Sequence, residues 1–301
     1  MNVAFLIHNG APFSHRNVYS VIKETLEQHI TITPLTFEEY QSNDTVFDWV
    51  IVFDHYRIRY GYHTIRLKSK LALIILEDTY EIDATKNVRA DIVFTNDEGA
   101  IEKRTECGQN VILLPLACRR DVFFPEENVT YQHEVVVVGN AFGNRIDIIA
   151  QLSDFFKEQK MHVDIYGINW QKLKLNNSYI QIINGILSES QLADIYRSSK
   201  IALEINRGHH NQNVDGILPK TPGRGFSSLG CNCYTVTDKR ISSTQYFPEN
   251  CIGYFSNLDE LKRLLLLPDS EKRKIAHDGC LHVHKHHTWE HRADIILQVL
   301  I

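Results

Sequence analysis

The 301-residue chain lacks several things whose absence narrows its class. No apolar run approaches the ~18–20 residues of a membrane-spanning helix. The longest clean run, "LALIIL" at Leu71–Leu76, has the length of a buried strand. No excess of positive charge is present: 32 Lys and Arg stand against 37 Asp and Glu, for a formal net charge of -5. That argues against general nucleic-acid binding. The six cysteines, at 107, 118, 231, 233, 251 and 280, are scattered, as in a reduced protein rather than a disulfide framework. The opening "MNVAFLIHNG" has no basic start, a short apolar core and no small-residue cleavage site. It is expected to be the first strand of a sheet, in a cytoplasmic protein without a membrane span.

Familiar chemical signatures are missing too. "VVVVGNAFGNR" places Gly139, Asn140, Gly143 and Arg145 between a strand and a helix. The third glycine of the dinucleotide fingerprint is absent, and no G-K-[ST] follows as in a P-loop. The residues fit either a loop meeting a diphosphate or a plain strand-to-helix turn. "CNC" at Cys231–Cys233 has no second cysteine pair at zinc-finger spacing, which points to buried strand cysteines. The C-terminal histidines 277, 282, 284, 286, 287 and 291 include two i, i+4 pairs but no H-E-x-x-H. They read as structural or capping residues, and no metal site is expected.

What is present is an alternation. With 43% hydrophobic residues the chain can build a sizeable core. "NVAFLI", "FDWVIVFD", "LALIILED", "DIVFT" and "NVILLPLA" read as strands. "NVYSVIKETLEQ" has Val18, Val21, Ile22 and Leu26 on one helical face. In "NDEGAIEKRTECG", Asn96 or a neighbour caps a helix that Gly108 ends. The polar stretch "RRDVFFPEENVTYQH" interrupts the pattern, and a domain boundary is drawn at 125. The alternation then restarts, with Ser188 capping the helix of "SESQLADIYRSS". This predicts two α/β domains, 1–125 and 126–301, each an open and mostly parallel sheet.

Ligands of such sheets bind outside the carboxyl ends of the strands. The polar residues at those ends are His8 and Asn9, Asp54 and His55, Glu77 and Asp78, Gly139 to Arg145, Gly167 and Asn206. A second cationic turn, "LPKTPGRGFSSLGCN", carries Lys220 and Arg224 among glycines just before a helix. Arginine offers a planar fork and lysine a point charge for phosphate. Two such turns on one sheet edge make a diphosphate site, although a solvated loop fits "PGRG" equally well from these residues alone.

The order "ADIVFTND", "GQNVILLPLACRRDVFFP", "VVVVGNAFGNR", "VDIYGINW", "RGFSSLGCN", "HDGCLHVHKHHTWEHRADIIL" resembles the spore-maturation-type (CgeB-like) branch of the group 1 glycosyltransferases. The resemblance runs from about Leu71 onward and is weakest before it. It implies a GT-B fold, two Rossmann-like doubly wound domains facing across a cleft, with the last helix crossing back to the N-terminal domain. It implies transfer of a sugar from a nucleotide-diphosphate donor to an unidentified glycan, protein or small-molecule acceptor. No cofactor and no bound metal are implied, in keeping with the absence of a D-x-D at a strand end. By the same resemblance, Arg145 and Arg224, with Lys220, face the donor diphosphate. Gly139, Asn140, Gly225 and Phe226 belong to the donor turns, Gly167 lies near the nucleoside, and Asn206 near the sugar or phosphates. Asp78 and Glu77 lead the candidates for catalysis, followed by Asp54, His55 and His8.

One position departs from the family. Where R-x-F-E is usual and the acid commonly binds the ribose, this chain has Ser227. A serine can hydrogen-bond a hydroxyl but cannot give a bidentate carboxylate contact. A non-catalytic nucleotide-sugar-binding or partner-binding protein on the same fold is therefore the alternative.

Overall fold

The computed structural model describes residues 1–7, 13–53, 69–76, 88–206, 223–239 and 243–301, with only the backbone of 13–16. The chain divides into two units. Their described residues fall in Met1–Leu116 with Trp289–Ile301, and in 117–213 with 220–288. The sequence reading drew its boundary nine residues later, at 125.

The first unit holds β1 (Asn2–Ile7), α1 (Phe13–Leu26), β2 (Thr31–Leu35), α2 (Phe37–Gln41), β3 (Trp49–Phe53), β4 (Lys70–Ile75), β5 (Ile92–Thr95), α3 (Glu98–Glu106) and β6 (Val111–Leu113). Its sheet is parallel, in the order β2-β1-β3-β4-β5-β6. The central strands β3 and β5 are buried throughout, as continuous Val, Ile and Phe runs require in a sheet covered on both faces. Each fully buried aliphatic side chain contributes about 1.5–3 kcal/mol. Asp97, the neighbour of Asn96, caps α3, and Gly108 sits at φ +76 just beyond its end. β6 stops at Leu113, short of the expected "NVILLPLA", because Pro115 cannot donate to a ladder.

Two elements of this unit escaped the sequence reading. β2 contains Pro34, which an edge strand tolerates. α2 is only five residues long but carries a full capping box between Thr36 and Glu39.

The second unit holds β7 (His133–Val138), α4 (Gly143–Glu158), β8 (Val163–Gly167), a 3-10 turn at Trp170–Lys172, β9 (Ile180–Asn184), α5 (Glu189–Arg197) and β10 (Ser199–Glu204). It continues with α6 (Gly225–Gly230), β11 (Tyr234–Asp238), α7 (Ser243–Tyr246), β12 (Gly253–Phe255), α8 (Leu258–Leu265) and α9 (Asp269–His286). This sheet is also parallel, ordered β12-β11-β10-β7-β8-β9. Ser188 and Gln191 form the capping box expected for α5, and Asn257 caps α8. The core is built on Val135, Val137, Ile149, Phe156, Ile165, Leu203 and Val236.

The final helix, α10 (Trp289–Leu300), belongs to the first unit. Arg292, 4% exposed, donates from Nε to Pro115 O at 2.8 Å and from Nη2 to Leu116 O at 3.1 Å. Trp49 Nε1 donates to Leu300 O at 3.0 Å. Buried polar groups with such partners fix the docking of the helix by hydrogen bonds as well as by area.

Candidate functional site

In the second unit the chain runs outward from β7 toward β8 and β9 on one side and toward β10, β11 and β12 on the other. Between β7 and β10 the strand order reverses, which opens a crevice at their carboxyl ends. The residues leaving those strands are Gly139 after β7 and Ile205–Asn206 after β10.

Gly139 is the hub. Its φ of +139 is open to glycine, and a Cβ there would lie 2.7 Å from Arg224 Nη1 and 2.9 Å from Arg145 Nη1. Two guanidinium groups from separate turns therefore close on one α-carbon. The Gly139 carbonyl accepts from Trp170 Nε1 at 2.7 Å, and its N–H donates to Tyr166 O at 2.8 Å. Gly167, at φ +149, lies so close that a Cβ would collide with the Gly139 carbonyl. The two glycines let the β7 and β8 exits touch along their backbones.

The cations do different work. Arg145 is 5% exposed; its Nε donates to Ile205 O at 2.7 Å and its Nη1 to Asn140 O at 2.8 Å. It ties the two strand exits together and leaves its charge beneath them. Arg224 is half-buried and, among the described residues, its guanidinium makes no hydrogen bond or ion pair. It is thus the cation available to an incoming anion. α6, which begins behind it, has only six residues, so little dipole accumulates, and the charge at this turn is that of Arg224 itself.

Asn206 is held rather than loose. Its Nδ2 donates to Asp238 Oδ1 at 2.9 Å and Thr237 Oγ1 at 3.1 Å, and its N–H reaches Asp238 Oδ1 at 2.8 Å. Its carbonyl accepts from Asn144 Nδ2 at 2.7 Å. Asn140 Oδ1 faces the Ile168 N–H at 3.4 Å. Ser227 is half-buried and its N–H donates to Arg224 O at 2.9 Å.

Phe226 does not belong with the ligand-facing residues. It is wholly buried, with ring centroids 4.7 Å from Phe247 and 5.5 Å from His287, and anchors α6 from behind. Gly225 is buried too. The sequence reading passed over Glu204, Ser228 and Asp238. Glu204 ends β10 at 7% exposure, and Ser228 Oγ donates toward its Oε1 at 3.4 Å. An acid closing the apolar run "KIALE" was the signal available. Lys220 and the catalytic candidates Asp78, Glu77, Asp54, His55 and His8 lie outside the described residues.

Four metal-type side chains singled out by the sequence are otherwise engaged. Cys231 and Cys233 are buried, with Sγ contacts to Ala193 O and Ser199 O. Burial pushes the Cys231 thiol up to about 12. His282 Nε2 lies 2.9 Å from Tyr246 O, and His284 Nε2 lies 3.0 Å from Gly230 O. Among the described residues, no group of three His, Cys, Asp or Glu side chains is placed to hold a metal ion. A separate cavity of about 110 Å³, lined by Lys200, Tyr234, Lys272 and Arg273 among others, opens at the amino-terminal edge of the same sheet, away from Gly139.

The "Glycosyl transferase-like" family model matches residues 145–298, just over half of the chain. The chain belongs to this family. The matched segment starts at Arg145 and carries Asn206, Arg224 and Ser227. No curated protein matches the sequence. A glycosyltransferase from Rickettsia africae ESF-5 superposes with a TM-score of 0.68 at 10% identity, covering 99% of this chain and 97% of that one. An E. coli structure, described as trehalose-6-phosphate bound with UDP-2-fluoro glucose, gives 0.68 at 9% identity over 100% and 99% of the two chains. AviGT4, a glycosyltransferase involved in avilamycin A biosynthesis, gives 0.61 at 13% over 99% and 96%. At such identities the likeness speaks for the fold, which is GT-B with two Rossmann-like units. By family, the chain is a glycosyltransferase. Among the described residues, no helix is long and apolar enough to cross a membrane.

Proposed function

We propose that this glycosyltransferase takes its sugar from a nucleotide-diphosphate donor, in the cytoplasm and without a bound metal, and that it falls in the spore-maturation-type branch. The observation that carries the reading is the closure of Arg145 and Arg224 on Gly139 at the strand-order reversal of the second unit. A diphosphate leaving group gains negative charge as the glycosidic bond breaks. Fixed cations aimed at it stabilise the transition state more than the ground state. Arg224 supplies the direct contact. Arg145, bonded to both strand exits, holds the geometry and adds its charge. Gly167 and Asn140 shape the nucleoside side, while Asn206 lies toward the sugar. His8, Asp54, His55, Glu77 and Asp78 supply the candidate general base for the unidentified acceptor hydroxyl.

The test is release of nucleoside diphosphate from a panel of nucleotide sugars, with and without chelator. Turnover of at least one donor, unaffected by chelation, is expected. Loss on chelation with recovery on adding magnesium or manganese would remove the metal-free part. Binding without turnover of any donor would favour the second reading, a non-catalytic nucleotide-sugar binder, for which Ser227 in place of the usual acid is the motive.

A further inference from the structure

The proposed mechanism leaves Glu204 unused. This carboxyl group is 7% exposed at the end of β10. Its one hydrogen bond among the described residues is the 3.4 Å contact from Ser228 Oγ, which in turn accepts from Thr235 Oγ1 at 2.8 Å. Arg224 and then Arg145 are the strongest charges acting on it, yet neither forms a direct ion pair with it. The site therefore already holds a carboxyl group close to the cations that a diphosphate would use.

We propose that Glu204 is an exchangeable counter-charge, ionised beside Arg145 and Arg224 while no ligand anion is present, and protonated when a diphosphate arrives at Arg224. The inference rests on the diphosphate reading of this edge. Two anions cannot share one desolvated pair of cations without cost, and the buried carboxylate takes a proton more readily than the terminal phosphate does. The proton comes from solvent on binding and returns to it when the diphosphate leaves. Burial raises the Glu204 acid to about 7; Arg224, Arg145 and the Ser228 hydroxyl oppose that rise, and Asp238 adds to it. It is thus poised to exchange a proton near neutrality.

The other groups facing Glu204 do not compete for that proton. The arginines are cationic at every pH of interest. Tyr196 on α5 and Cys233 before β11 are both pushed well above their ordinary values by burial, so both stay protonated. Asp238 is occupied by the side-chain and backbone N–H groups of Asn206.

The experiment is calorimetric titration of the full chain with UDP, ADP and GDP at pH 8, in buffers of different ionisation enthalpy. That pH lies above the terminal phosphate's own titration, at ~6. Most of one proton should be taken up per diphosphate bound, and affinity should fall by up to about tenfold per pH unit above 7. Glu204→Gln should bind without that uptake and with a flat pH profile. Binding to the wild-type protein without uptake overturns the role of Glu204 and leaves the diphosphate reading standing. Equal uptake by Glu204→Gln does the same. Failure of all three nucleotides to bind overturns both. The wild-type arm needs no variant, so a misfolded Glu204→Gln does not rescue the proposal.

Discussion

Both sheets are six-stranded and parallel, yet they reverse direction at different places. In the first unit the order β2-β1-β3-β4-β5-β6 reverses between β1 and β3; in the second the reversal falls between β7 and β10. The second reversal is edged by glycines and arginines, Gly139 with Arg145 and Arg224. The residues that follow the first are of another kind: His8 comes directly after β1, and Asp54 and His55 directly after β3. The residues next in the chain after β1 and β3 are thus of types that accept protons, whereas those at the second reversal are cationic. The difference also ranks the acid–base candidates. Glu77 and Asp78 follow β4, one strand away from the reversal. On chain position alone we propose His8 and Asp54 ahead of Asp78 and Glu77, the pair that leads in the sequence analysis.

That ranking can be broken by kinetics. Among Asp54→Asn, His8→Gln and Asp78→Asn, one of the first two should lower kcat by about 10²–10⁴-fold, the range for a general base. Asp78→Asn should lower it far less. The reverse order would return the choice to the end of β4.

The anion-receiving edge is most sensitive at its hub. Gly139→Ala forces a side chain to φ +139 and against two guanidinium groups. Strain and overpacking together should cost about 2–4 kcal/mol. Urea unfolding reads the loss, and UDP titration of the folded fraction should show binding abolished. Substitutions at His8 and Asp54, which directly follow β1 and β3 in the chain, should cost less in stability.

A smaller effect concerns pH. The Glu204 acid lies near 7 in the folded chain, above the ~4.3 of an unperturbed glutamate. The folded state then holds the proton more tightly, so stability from this group is full below about pH 4 and declines as pH rises to 7. Glu204→Gln should remove that decline. Its advantage over wild type should grow by about 2–3 kcal/mol between pH 5 and pH 8 in urea melts. Parallel curves for the two proteins would show that the carboxyl is better solvated than its burial implies. Smallest of all, Thr36→Ala and Ser188→Ala each remove the hydroxyl of a capping box, one per unit. Each should cost about 1 kcal/mol in thermal melts. A much larger loss for Thr36 would mean that short α2 matters more to its unit than its five residues suggest.

The sequence carried the fold because its signals are local. Alternating apolar runs, and the caps at Ser188 and beside Asn96, each declare themselves within a few residues. β2 and α2 escaped because Pro34 and a polar surface helix blur the same signals. The site was legible by type and obscure by depth. Glycine and arginine at strand exits pointed to phosphate, and Gly139, Arg145 and Arg224 do meet. Nothing local says that Arg145 spends its donors on the Ile205 and Asn140 carbonyls, or that Phe226 turns inward to Phe247 and His287. Nor could Trp170 be read as the clamp on Gly139, 31 residues away. Those contacts depend on which strands become neighbours.

In the proposed function, Arg224 receives the donor diphosphate. Titrating wild-type and Arg224→Ala proteins with UDP and with uridine tests it most directly. The variant should lose about 1.5–3 kcal/mol toward UDP, the range for a hydrogen bond to a charged group, and little toward uridine. Equal losses for both ligands, or none for either, would contradict it.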